Sequence, residues 1–555
     1  MLILERFIDK KLREIREIDE VAYQILSKKI KEPQSIRQSW IIAIKRVESY
    51  LNKLKKTNRR KIAIYGAGEH TKILLKLVDF SGVEITGIID KYIKGSCDGY
   101  KIYPSSAINS LEYDAILISS YSFEDEIYRE INNLIDSNKI EIFRIYVQDY
   151  CKKLPLDLTN VKEIINRINS KPQKKKILYT GNIAYFNLMR QSMYLRKTGE
   201  YETFFLTLNP GVTKFTGDYF DAIYLIDDLF LLCYILSKVK PYLVHVQGWM
   251  TFSYLPVVVK LFSNSKVICE QNDLTSLFIS QEDFKHLWGE DEAQLEFTSE
   301  RFIYEKMDGV IQTHSEEAEK AMRKIYNSKA PILKFHSYPC QEFFIQNDTK
   351  RKLGDPIKLV FGGSIPPSNM PKQFFGDVHL LNLIELVTHQ GIQFDIFTLP
   401  HQKVNQGSGA YGSLWDYQYL EKANNNFSVR TGLPPNKIGE QIYKYDFGTL
   451  IYLFPDYLKA KKKHFDTICP TKLFTYIEAG LPILVSEELR YVAKIVCENN
   501  IGIVLSQKDL YNLKDIILGC DYKKLRKNVI DYREKYCMER QINKVKEFYQ
   551  MIVSG

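Results

Sequence analysis

The sequence predicts an α/β protein with a helical N-terminal segment, one small Rossmann-like domain, and two further Rossmann-like domains. Three observations carry that prediction. Short apolar strands open onto glycine turns at three places: KIAIY before GAGEHT, 177–180 before Gly181, and 357–361 before Gly362, Gly363 and Ser364. Short β-branched runs end in polar residues in PYLVHVQGW, KVICEQND and DGVIQTHSEEA, as buried parallel strands do at a ligand edge. The stretch PTKLFTYIEAGLPILVS, 470–486, joins a polar helix start to a glycine-ended helix and then to a buried strand. A chain of 555 residues is too long for one core and predicts three or four domains.

Residues 1–57 read as two or three basic helices, interrupted near 31–34, where Pro33 stops one helix and Ser35 caps the next. Residues 1–60 hold 16 Lys/Arg and 8 Asp/Glu, a net +8 out of +10 for the whole chain. Two readings stand for this segment: a basic surface lying on an anionic membrane, or a solvated helical hairpin or oligomerisation element.

The small domain, 58–150, opens with strand 61–65 and the turn GAGEHT, has a second strand at 83–89 that ends at Asp90, and another at 114–119. Gly66 and Gly68 would let the backbone approach a phosphate, and Asp90 would meet ribose hydroxyls. Thr71 replaces the third fingerprint glycine. The alternative is a turn kept for packing, with no ligand. Residues 151–176, polar and ending in KPQKKK, form the expected linker.

The second Rossmann-like domain, 177–345, would gather His245, Gln247, Glu270, Asp273, Thr313 and Ser315 at the carboxyl edge of one sheet. Asp273 is a candidate general base, with a helix N-cap as its competing role. For His245 the favoured reading is a satisfied histidine at a strand end. The third domain, 346–520, offers the turn Gly362, Gly363 and Ser364 and the cations Lys372 and Lys472 for a diphosphate, with Thr471 at the helix start. A polar Gly- and Gln-rich loop spans 401–412 as a candidate acceptor-facing segment, and a final helix spans 521–555.

The ordered blocks from 427 to 505, with PTKLFTYIEAGLPILVS at their centre, resemble the C-terminal half of GT-B glycosyltransferases, particularly the family 4 group. The resemblance extends over roughly 174–549. It implies two facing Rossmann-like domains, with the acceptor on the N-terminal side and a nucleotide-sugar donor on the C-terminal side, and a last helix that crosses back. In that family two glutamates separated by seven residues, the second five positions before the glycine, are often present. Here their places hold Thr467 and Thr475, so Glu478, one turn further on, is the substitute candidate for the ribose, against an ordinary solvated glutamate.

The implied activity is transfer of a sugar from a UDP- or GDP-sugar to a saccharide or lipid-linked acceptor, in bacterial polysaccharide or glycoconjugate synthesis. Lys472, Thr471 and the 362–364 turn would stabilise the leaving diphosphate, with no cofactor and no metal required. A nucleotide-sugar-binding or scaffold protein is the competing class, and an NAD-dependent oxidoreductase built on GAGEHT a third. Nine scattered cysteines without a C-x-x-C pair suggest a reduced compartment and no structural zinc. The charged start and the lack of a long apolar run predict a cytoplasmic protein with at most peripheral membrane contact. No nucleic-acid-binding motif is evident, and +10 over 555 residues is a weak footprint for such a partner.

Overall fold

The computed structural model describes residues 10–31, 35–57, 59–120, 123–135, 139–145, 158–171, 173–182, 186–208, 219–226, 229–345, 351–366, 370–399, 414–434 and 436–555. The chain forms two compact units, one of Glu32–Leu158 with Asp227–Leu229 and one of the remainder. The segment 1–57, read from sequence as one body, is thus divided. The candidate acceptor-facing loop 401–412 lies outside the described residues.

The smaller unit is a six-stranded sheet of order β3-β4-β2-β1-β5-β6, made of β1 (Lys61–Tyr65), β2 (Glu84–Asp90), β3 (Gly95–Cys97), β4 (Tyr100–Pro104), β5 (Ala115–Ile118) and β6 (Glu141–Arg144). All its pairings are parallel except the β3–β4 hairpin, which sequence reading misses because both strands are short and exposed. Helix Ser35–Lys56 belongs to this unit: its Val47, Leu51 and Leu54 join a core with Ile62, Leu117 and Phe143.

The larger unit holds two parallel sheets. The first contains β7 (Lys175–Gly181), β8 (Tyr201–Thr207), β9 (Ala222–Leu225), β10 (Leu243–Gly248), β11 (Val267–Gln271), β12 (Gly309–Gln312) and β13 (Ile332–Lys334), in the order β13-β12-β11-β10-β7-β8-β9. The second contains β14 (Lys358–Gly362), β15 (Gln393–Thr398), β16 (Phe427–Thr431), β17 (Phe447–Leu450), β18 (Ile483–Ser486) and β19 (Gly502–Leu505), in the order β16-β15-β14-β17-β18-β19. Each sheet starts in its middle, winds outward, then returns to the other side. That is the doubly wound 3-2-1-4-5-6 order, and it leaves a crevice at the switch point between the first and fourth strands. Two such sheets in one unit form the GT-B arrangement.

The last segment is two helices rather than one. Tyr522–Lys535 packs on the second sheet, with the Tyr522 ring 5.5 Å from Phe447. The chain breaks at Tyr536 and Cys537, where the Met538 amide donates to the Pro339 carbonyl at 2.8 Å. Helix Met538–Ser554 then returns to the first sheet. A Cβ on Gly309 would lie 2.9 Å from both Phe548 and Ile552, so the glycine admits this helix.

The first helices also belong to this unit. Leu12, Ile15, Ala22, Leu26 and Ile30 are buried, and helix Glu20–Lys31 lies against helix Glu290–Lys306, with Lys29 Nζ 2.6 Å from Glu292. Their apolar side is therefore occupied by protein. No helix among the described residues is long and apolar enough to cross a membrane.

Candidate functional site

A cavity of about 270 Å³ opens at the carboxyl edge of the second sheet of the larger unit. Its wall is assembled from strand ends far apart in sequence: the turn Gly362, Gly363 and Ser364 at the end of β14, Thr398 at the end of β15, Tyr452 after β17, and Pro470, Thr471, Lys472 and Thr475. These positions surround the β14–β17 switch point, where an open α/β sheet binds its ligand.

The helix that carries Lys472 is held in place by an aromatic side chain. In Lys472–Glu478 every residue after Lys472 is buried, and the Tyr476 hydroxyl accepts from the Gly362 amide at 2.9 Å and donates to the Thr449 carbonyl at 3.2 Å. Gly448 makes room for that ring, since a Cβ there would come within 2.2 Å of it. Gly480, at φ +70°, ends the helix, and the Leu481 amide returns to the Tyr476 carbonyl at 2.9 Å.

Lys472 Nζ donates to the Tyr452 hydroxyl at 3.0 Å and lies 4.6 Å from the centre of the Phe361 ring. Among the described lining residues it is the side chain that carries a charge at neutral pH. Gly363 lies directly against it: a Cβ there would sit 2.9 Å from Lys472 Cε, on backbone with φ +153°. Gly363→Ala is expected to displace the ammonium and weaken nucleoside diphosphate binding by about tenfold, or about 1.4 kcal/mol. Titration calorimetry checks this, and unchanged affinity would refute it.

The structure brings together Gly362, Gly363, Ser364, Thr471, Lys472 and Thr475. It separates two other candidates from them. Lys372 is exposed at the start of the short helix Lys372–Phe375 and lines a different hollow, with His379 and Tyr457. Glu478 is neither solvated nor at the cavity. It is 2% exposed, with Oε2 2.8 Å from Arg190 Nη2 and Oε1 accepting from the Cys340 amide at 2.8 Å. A ribose contact through Glu478 is excluded by this burial.

At the carboxyl edge of the first sheet, Asp273 follows β11 in a loop. The N-cap of the next helix is Leu274, so Asp273 does not cap it. Its Oδ2 accepts from the Met250 amide at 3.4 Å, and burial raises its pKa above the ordinary carboxylate value. Asp273 does not line the cavity described above. His245 and Glu270 are not edge residues. Both are fully buried inside their strands, with His245 Nδ1 2.6 Å from the Tyr549 hydroxyl, His245 Nε2 3.3 Å from Glu270, and Gln191 donating to Glu270 at 2.8 Å. This network ties the returning C-terminal helix to the first sheet. Gln247 and Thr313 are buried at their strand ends, and the Ser315 amide donates to the Thr467 carbonyl at 2.9 Å, joining the two halves of the unit.

The loops around Asp273 are fastened from below by Glu296, on helix Glu290–Lys306. Its carboxylate accepts from the Ser253 hydroxyl at 2.7 Å, the Thr275 hydroxyl at 2.6 Å and the Thr251 amide at 3.1 Å. Burial, with Glu300 one turn away, pushes its pKa from 4.5 up to about 8. The folded value exceeds the unfolded one, so this group's contribution to stability is full below about 4.5 and is lost as pH rises through about 8. Each tenfold change in proton affinity is worth about 1.4 kcal/mol, so a few kcal/mol are involved. The stability difference between the wild type and Glu296→Gln is expected to shrink or reverse from pH 5 to pH 9 in urea denaturation. A difference that does not vary with pH would refute it.

In the smaller unit, Gly66 is required by close approach: at φ +107° its Cβ would sit 2.7 Å from the Ser119 carbonyl. Gly68 faces open space. Thr71, in the third glycine's place, donates its hydroxyl to the Gly66 carbonyl and lies 2.8 Å from the Ser119 hydroxyl, from which it accepts, and so pins the turn to the end of β5. Asp90 accepts from the Ala67 amide through Oδ2 and from the Tyr92 and Ile93 amides through Oδ1, each at 2.8 Å. Its carboxylate thus already organises the turn that Gly66 and Gly68 form.

His464 is not foreseeable from sequence. It lines the cavity from helix Lys462–Thr467. Its place in KKKHFDT carries no motif, and only the folding of the second half, which sets helix Lys462–Thr467 beside the ends of β14, β15 and β17, brings it to the wall.

Two segments match described families. Residues 58–142 match the model described as C2185-like, N-terminal, and residues 398–541 match that described as Glucosyltransferase 3-like, C-terminal domain. No curated protein matches the chain. Among solved structures it is similar to a glycosyltransferase from Rickettsia africae ESF-5, at 13% identity and a TM-score of 0.43 over 69% of this chain and 99% of that one. It is similar to a UDP-glucose: anthocyanidin 3-O-glucosyltransferase in complex with UDP, at 11% identity and a TM-score of 0.41 over 69% and 100%. A third similarity is to MurG of Acinetobacter baumannii, at 11% identity and a TM-score of 0.34 over 67% and 99%.

Proposed function

We propose that this chain is a glycosyltransferase that moves a sugar from a nucleoside diphosphate sugar to a saccharide or lipid-linked acceptor. The observation that carries the reading is the lysine-bearing cavity at the switch point of the second sheet, within reach of the glycine turn 362–364. The Glucosyltransferase 3-like match spans Lys472 and supports it.

As the bond from sugar to diphosphate breaks, negative charge gathers on the leaving phosphate oxygens. A site stabilises that step by presenting fixed positive charge and amide hydrogens to those oxygens. Lys472 Nζ, braced by Tyr452 and Phe361, is the charge, and the backbone of the 362–364 turn lies beside it. Asp273, on the facing sheet and with a raised pKa, is the candidate base for the acceptor hydroxyl if configuration inverts. A lipid-linked acceptor would draw the protein to a membrane surface through basic side chains, since Leu12, Ile15, Ala22, Leu26 and Ile30 of the first helices are already buried.

The test is release of free nucleoside diphosphate from UDP-, GDP- and TDP-sugars incubated with the full chain and a mixture of saccharide acceptors. Release from one donor class supports the reading. Tight nucleotide binding with no release from any donor would instead identify a binding protein with a catalytically degenerate GT-B body. The small domain is proposed as an accessory nucleotide-binding element at Gly66, Gly68 and Asp90, and loss of a second nucleotide-binding event in Gly68→Trp tests that.

A further inference from the structure

The loop between β10 and helix Tyr254–Phe262 holds a threonine in a backbone conformation that suits glycine. The Phe252 amide donates to the Trp249 carbonyl at 2.9 Å and closes a four-residue turn. Thr251 is its third residue, with φ +71°, where a β-branched side chain is strained. Neighbouring carboxylates fasten the turn. Buried Glu296 accepts from the Thr251 amide at 3.1 Å and from the Ser253 amide and hydroxyl at 3.4 Å and 2.7 Å, while Asp273 accepts from the Met250 amide at 3.4 Å. Strain that the surroundings over-determine in this way clusters where a protein meets its ligand.

The turn presents aromatic rings. Trp249 and Phe252 are both partly exposed, with ring centres 6.1 Å apart and planes inclined by 48°. They follow β10, next to β7 at the switch point of the first sheet, on the carboxyl edge where such sheets bind ligands. A short chain of contacts leads from the turn to the donor cavity. Glu296 also holds the Thr275 hydroxyl at 2.6 Å, and the Ser276 and Phe278 carbonyls accept from Lys461 Nζ and the Lys461 amide, each at 2.8 Å. Helix Lys462–Thr467, which begins at the next residue, carries His464 on the cavity wall.

We propose that Trp249 and Phe252 form a stacking platform for the acceptor saccharide and that Thr251 fixes their positions, an assignment that rests on the glycosyltransferase reading and deepens it. A pyranose ring carries C–H groups on its face and hydroxyls at its rim. The C–H face packs on the electron-rich face of an aromatic ring and leaves the hydroxyls free for polar partners. Asp273, the candidate base, is bonded to the same turn, so a sugar stacked there lies beside that carboxylate.

The experiment measures release of nucleoside diphosphate from UDP-glucose, GDP-mannose and TDP-glucose against rising concentrations of the methyl glycosides of glucose, galactose, N-acetylglucosamine and rhamnose. The wild type is compared with Trp249→Ala, Trp249→Phe, Phe252→Ala and Thr251→Gly, with melting curves on the same samples. Each alanine variant is expected to raise the half-saturating glycoside concentration about tenfold while the KM for the donor stays within about twofold, and Trp249→Phe to recover most of that loss. Thr251→Gly relieves the strain and is expected to keep or raise Tm, yet to raise the half-saturating concentration about threefold, a combination that a residue serving the fold alone would not give. Half-saturation within twofold of the wild type in both alanine variants would overturn the inference and leave the glycosyltransferase reading intact. So would a donor KM that rises as much as the glycoside requirement, or release that none of the glycosides stimulates. No release from any donor, with or without glycoside, would overturn both.

Discussion

Lys472→Ala lowers kcat/KM for nucleoside diphosphate release by about a hundredfold to a thousandfold, the loss expected when one preorganised group aimed at developing charge is removed. Lys472 is half-buried, so its ammonium keeps part of its hydration in the free protein and is stripped of it when a diphosphate fills the cavity. Its interaction is therefore strongest where charge is greatest, in the transition state. Lys472→Arg is not expected to restore activity. The side chain runs between Phe361 and Tyr452, and even a methyl group on Gly363 would press on Cε at 2.9 Å, so a planar guanidinium does not fit that channel. Fold stability changes little in Lys472→Ala, by about 1 kcal/mol for the lost ring contacts. Steady-state release assays with melting curves on the same samples check both parts. A variant that retains activity within threefold would remove Lys472 from the mechanism.

The features visible in the sequence are those written in local chemistry. Gly480 ends its helix because only the left-handed backbone allows the Leu481 amide to turn back, and that requirement is a property of five consecutive residues. The turn 362–364 and the start at Thr471 are local in the same way, and parallel-sheet topology brings them together. The errors concern side-chain direction and long-range pairing. Spacing from Thr475 puts Glu478 on a similar helix face, but a shared face does not say whether a ligand or a second domain covers it. Lys372 lies at a suitable distance in sequence from a glycine turn, although the intervening segment sets where it emerges. His464, on the cavity wall, carries no local signal, because nothing in KKKHFDT marks it. The division of 1–57 between two units escapes for the same reason: an amphipathic helix announces that it will be buried, and its partner must be found elsewhere.

Breaking the Arg190–Glu478 pair is expected to cost about 3–5 kcal/mol of stability. Both side chains are 2% exposed, and the contact joins helix Phe186–Lys197 of the first half to the end of the helix that carries Lys472. Arg190 Nη1 also donates to the Ser337 carbonyl at 2.7 Å, and Glu478 accepts the Cys340 amide, so the connecting segment is gripped from both ends. Arg533 completes the arrangement by donating to the Glu478 carbonyl at 2.9 Å and the Ile345 carbonyl at 3.2 Å. In Arg190→Ala the Glu478 carboxylate is left in a dry site with one amide for company, and in Glu478→Ala the guanidinium is left there with carbonyls alone. Either charge is far more costly unpaired than the pair is to bury. The double variant Arg190→Met with Glu478→Leu removes both charges and keeps the volume, so it is expected to recover most of the loss. Urea denaturation of the two single variants and the double variant measures the coupling directly. Single variants that each lose less than about 1 kcal/mol, or a double variant no better than either, would show that the pair does not join the halves. If the pair does join them, donor affinity also falls in the single variants, because the far end of the Lys472 helix has lost its anchor, and it returns in the double variant as the helix is again packed.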